Sequence, residues 1–90
     1  MPAHPSIQEL DLTFEVGSSF AAEDAARLHE AIERAAPGTR IEIDFHRVRD
    51  CHDAALAVLA RDITAGRARV ALRGMSQHQL RLLGYLGVGA

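Results

Sequence analysis

The stretch "RIEIDFHRVRDCHDAALAVLARDIT", residues 40–64, decides the fold. Its first six residues place Ile41, Ile43 and Phe45 on one side, the period of two that marks a strand. Residues 53–64 place Leu56, Leu59 and Ile63 on one stripe of a helix. The seven residues between, "HRVRDCH", form a charged turn that carries both Cys51 and His52. Strand, turn and helix follow one another without a gap.

The same alternation of elements extends outward. Upstream, "IQELDLTFEV" (residues 7–16) sets Leu10, Leu12, Phe14 and Val16 against Glu9, Asp11, Thr13 and Glu15. That pattern predicts a half-buried strand near a sheet edge. "GSS" turns the chain, and residues 21–35 predict a helix with Ala25, Leu28, Ile32 and Ala35 on one face. Glu23 and Asp24 stand in its first turn, where the helix dipole favours them. "PGT" (residues 37–39) ends it. Downstream, "AGRA" is a loop and "RVALRG" a third strand with Val70 and Leu72 inward. Ser76 followed by Gln79 is a capping-box pattern that opens a helix over residues 76–86 with Leu80, Leu83 and Leu86. The order β-α-β-α-β-α predicts an α/β fold, a small sheet of about four strands with helices packed mainly on one face. Residues 1–7, with two prolines, read as a flexible segment, and residues 8–90 as a single domain.

Composition narrows the function. Ninety residues suffice for one domain with a modest core. The net charge of −2 gives no electrostatic basis for binding nucleic acid or anionic lipid. Trp is absent and Tyr85 is the only tyrosine, so there is no aromatic platform for RNA. A lone cysteine, Cys51, fits a reducing, cytoplasmic setting. No run of about 20 apolar residues appears, so a role at a membrane would come through docking on another protein.

The chain resembles the STAS domain, the sulfate-transporter and anti-sigma-factor-antagonist family. That family's central signature is a strand ending in aspartate, a short turn, then Asp-Ser-Ser-Gly-Leu-Gly at the start of a helix. Counted without a gap from Asp44, "HDAALA" (residues 52–57) falls on those six positions. Leu56 matches, and Ala55 and Ala57 stand for the two glycines. "RVALRGMSQHQLRLLGYLGV" resembles the later strand, the entry to the next helix and a final glycine. The likeness runs from about Leu10 to Val88, with the family's first strand short or missing.

The departures carry information. In anti-anti-sigma members the second serine of the signature is phosphorylated. A phosphate there is stabilised by free N–H groups at a helix N-terminus and adds nearly two negative charges to the binding surface. This chain has Ala54 at that position, Asp53 at the first serine and His52 at the aspartate. The resemblance therefore implies a partner-binding module without the usual phospho-switch, leaving Ser76 or His52 as other positions for a modification. A second register pairs Asp50 with the signature aspartate and puts Cys51 and His52 on the serines. It shortens the preceding turn by two residues and moves Leu56 and Ala57 off their matches.

Other chemistries find less support in the residues. His46, Cys51, His52 and Asp53 are all metal-ligand types, but zinc sites use two short-spaced pairs and no second pair follows. The sequence assigns no metal and no cofactor. Cys51 with His46 or His52 would need an electropositive pocket to form a thiolate, and neither an oxyanion loop nor a third member accompanies them. Asp53 reads as the N-cap of the second helix. Arg67, Arg69 and Arg73 read as a solvated rim. The expected partner-binding residues are His52, Asp53, Ala54, Ala57 and Asp62, on a surface spanning the turn and one side of the helix. By resemblance the partner is an anti-sigma factor or serine kinase of the histidine-kinase-like ATPase type. The alternative is the ATPase of a lipid-transport ABC system that uses a STAS subunit. The third helix, leucine-rich on more than one side, also allows a homodimer.

Overall fold

A computed structural model describes residues 12–88. The elements run β1 (Leu12–Glu15), β2 (Ser19–Phe20), α1 (Ala22–Arg34), β3 (Arg40–Asp44), β4 (Asp50–Cys51), α2 (Asp53–Ala65), β5 (Arg69–Arg73) and α3 (Gln77–Tyr85). The three longer strands form a parallel sheet in the order β1-β3-β5. This is the predicted α/β alternation with two short strands added. β2 and β4 pair in parallel as a separate two-stranded piece, so the described strands form two sheets rather than one of about four. The expectations of a flexible segment at residues 1–7 and of a short or missing first strand fall outside the described residues.

Register explains the layering. Leu12 and Phe14 align with Ile41 and Ile43, which align with Val70 and Leu72. Ile41 and Ile43 are fully buried because a neighbouring strand flanks them on both sides and helices cover them. Leu28 and Ile32 of α1 and Leu56 and Leu59 of α2 complete the core with Phe20 and Phe45. Those two rings meet edge to face at 5.0 Å. The opposite face carries Glu15, Glu42, Asp44, Arg69 and Arg73, with Arg73 paired to Glu42 at 3.3 Å. The described helices thus cover one face, as the polar half of each strand's alternation requires.

Helix ends follow local chemistry. The Asp24 carboxylate accepts the Ala21 N–H at 2.9 Å and holds Arg27 at 2.6 Å. Arg67 is exposed, as a rim residue is, but it is also partnered. Its guanidinium donates to the carbonyls of Ile32, Glu33 and Ala35 at 3.1–3.3 Å and closes the C-terminal end of α1. Ser76 and Gln79 form the predicted reciprocal cap, at 3.1 and 3.0 Å. That cap draws Gln79 inward, so α3 buries Gln79 and Leu83 and leaves Leu80 and Leu86 exposed. The expected face of Leu80, Leu83 and Leu86 is rotated accordingly.

Candidate functional site

The turn from β3 to α2 is built from fixed pieces. Asp44 ends β3, and its carboxylate accepts the His46 N–H at 3.0 Å and meets His46 Nδ1 at 2.9 Å. The bonds from the His46 backbone and then its ring hold the Asp44 carboxyl below its ordinary range, against the smaller upward push of burial. Gly74, just after β5, lies under this turn with φ +74°. A Cβ there would stand 2.7 Å from His46 N and Cβ, so only glycine lets the two segments approach this closely.

The second half of the turn is held by β2. The Ser18 carbonyl accepts from both Arg49 N–H and Asp50 N–H, at 2.7 and 3.1 Å, and Phe20 O accepts from His52 N–H at 3.0 Å. The residue that starts α2 is therefore set by a strand more than thirty residues upstream. His52 is the N-cap, with extended backbone and no side-chain capping bond, and its carbonyl accepts the Leu56 N–H. Asp53 is the first helical residue and not the cap: the β2–β4 pairing ends at Cys51, leaving His52 as the half-in residue. Its charge still favours the positive end of the helix.

His52, Asp53 and Ala54 are exposed side by side, and Ala57 is half-buried one turn on. Asp62 is not with them. It is 9% exposed, turned toward α1, and Ala60 is buried at 3%. The exposed side of α2 is thus narrower than the sequence suggests, because Asp62 falls on the same stripe as Leu59. Cys51 is half-buried, and burial, with the Asp53 charge adding to it, pushes its thiol above the ordinary value. A protonated thiol is a poor nucleophile and a poor metal ligand. Among the described residues, no group of three or more His, Cys, Asp or Glu side chains is arranged to hold a metal ion.

One feature escaped the sequence. Between α2 and α3 lies an apolar groove of about 170 Å³, lined by Asp53, Leu56, Leu82, Tyr85 and Leu86. Tyr85 is 79% exposed and Leu86 43%. The available signal was the position of Tyr85, two residues from the buried Leu83 and so on another side of α3. The small first turn of α2 and this groove adjoin through Asp53 and form one surface.

No helix among the described residues is long and apolar enough to cross a membrane. No curated protein and no solved structure gives a significant match. The family described as "Mlab, STAS domain" matches residues 4–90. With the parallel sheet, the helices on one face and the exposed start of α2 in place, the chain belongs to the STAS domain family.

Proposed function

We propose that the protein is a non-catalytic interaction module of the anti-sigma factor antagonist type, which binds its partner protein through the start of α2 and the adjoining groove. STAS domains act in general through protein–protein contacts and are generally non-catalytic, which suits a surface of this kind. The observation that carries the reading is the exposed, hydroxyl-free Ala54 beside an apolar groove with Tyr85 at its rim. Small residues let a partner backbone approach, and an exposed aromatic next to a pocket is a common anchor. Asp53 supplies a fixed charge next to the position where family members place a switchable one. The partner is an anti-sigma factor or kinase-type ATPase. Ala54 also favours the second reading, a STAS subunit contacting the ATPase of a lipid-transport ABC system, because that role does not depend on the serine.

The test is an affinity pull-down of the tagged protein from its native lysate, read by mass spectrometry, with Ala54→Arg and an Asp53→Ser/Ala54→Ser pair alongside. An unmatched buried cation should weaken retention by at least about tenfold. A kinase-type ATPase lost with Ala54→Arg supports the first reading, and a transport ATPase lost in the same way supports the second. Retention that survives Ala54→Arg, or recovery of only the protein's own copies, removes this surface from the function. Binding unchanged in the double substitution removes Asp53 from it.

A further inference from the structure

The most informative feature outside this surface joins the two helices that cover the sheet. His29 Nδ1 of α1 lies 2.8 Å from Asp62 Oδ1 of α2. The His29 side chain is 47% exposed and that of Asp62 only 10%. Asp62 stands in the last turn of α2, where unpaired carbonyls make the helix end negative, a poor setting for a carboxylate. Its Oδ2 is buried without a hydrogen-bond partner. Among the described residues, the one hydrogen bond of its carboxylate is to His29. The neighbouring donors are committed elsewhere: the Thr64 hydroxyl bonds the carbonyls of Ala60 and Arg61, and Arg67 bonds the end of α1. A buried carboxylate with half its acceptors unmet is costly unless a positive charge faces it.

We propose that His29 and Asp62 form a proton-operated clasp between α1 and α2. The imidazolium holds the buried carboxylate, and loss of its proton leaves a hydrogen bond from an uncharged ring and loosens the helix pair. The charges acting on the ring are Asp62 from α2 and Glu33 and Glu30 from α1. The Asp62 hydrogen bond first, then its charge, hold His29 above its ordinary value of 6.5. Partial burial opposes this, and Glu33 and Glu30 add to it. The sign follows from linkage. The folded-state value is raised, so the stabilisation is complete below 6.5 and is lost as pH climbs through the folded value. That window opens upward from 6.5, the range in which histidine is the natural sensor.

His29→Gln tests it, because the amide can still donate to Asp62 but carries no charge. Urea unfolding of the full chain at about pH 6 and pH 8.5 should show a midpoint that falls with rising pH in the parent. That fall should shrink by at least half in His29→Gln. NMR titration of the five histidines reads the same group directly. His29 should titrate above 6.5, and the amides of α1 and α2 around positions 29 and 62 should lose exchange protection over the same range. An equal fall in parent and variant, or a His29 that titrates at or below 6.5, overturns the clasp.

Discussion

Gly74 offers a stringent check on how the turn is supported, because the fold contains its own control. Gly74 and Gly66 share the same φ of +74°. Gly66 caps α2, and a Cβ there would meet only the Thr64 carbonyl at 4.0 Å. At Gly74 the added carbon would lie 2.7 Å from His46 N, 2.7 Å from its Cβ and 2.8 Å from its Cα. Alanine at either site incurs the left-handed backbone cost, about 1–2 kcal/mol. At Gly74 it also forces backbone atoms to retreat from 2.7 Å to an ordinary contact distance, adding about 1–3 kcal/mol. Thermal and urea unfolding of the two variants should therefore separate. Gly66→Ala should lower Tm by about 4–16 °C, at about 4–8 °C per kcal/mol for a domain of this size. Gly74→Ala should lower it by roughly twice that or more, and should shift the NMR signals of Asp44 and His46. Equal losses in the two variants would refute the close approach between the β5 end and the His46 turn.

Two further outcomes follow from the cap and the turn. Arg67→Ala removes three donations to the end of α1 and should cost about 1 kcal/mol by urea midpoint, whereas Arg69→Ala should stay within about 0.5 kcal/mol. Asp44 has a lowered folded-state value, so its contribution is present above 3.8 and is lost as pH falls through that folded value. Asp44→Asn should accordingly sit below the parent in stability at about pH 5, with the gap closing as pH falls below 3.8 in an acid titration followed by circular dichroism.

The periodic segments were legible. Ile41, Ile43 and Phe45 marked β3, and the Leu56/Leu59 stripe marked α2, because burial on one side imposes a spacing that any sequence must show. The Ser76–Gln79 cap was legible as a pair of residue types at fixed separation. β2 and β4 were not, since two residues cannot display an alternation and their pairing rests on backbone bonds to Ser18 and Phe20. At the site, the exposed trio His52, Asp53 and Ala54 was foreseen, but the cap shifted by one residue because the β4 boundary was invisible. Asp62, expected on the exposed side of α2 with Ala54 and Ala57, is buried. It lies three residues after Leu59 and so on the buried stripe, where His29 from another helix answers it. The groove depended on how α3 rotates, which the inward pull of Gln79 determines.

The β2–β4 latch has a consequence for when the surface exists at all. It joins Ser19–Phe20 to Asp50–Cys51, so the start of α2 takes its final position only after the chain has closed a loop of about thirty residues. During synthesis the first half of the latch emerges well before the second. A chain in which that loop is still open lacks the anchored turn. Recognition through His52, Asp53 and Ala54 would then report on completed folding, and a partner that reads these residues would ignore unfinished copies.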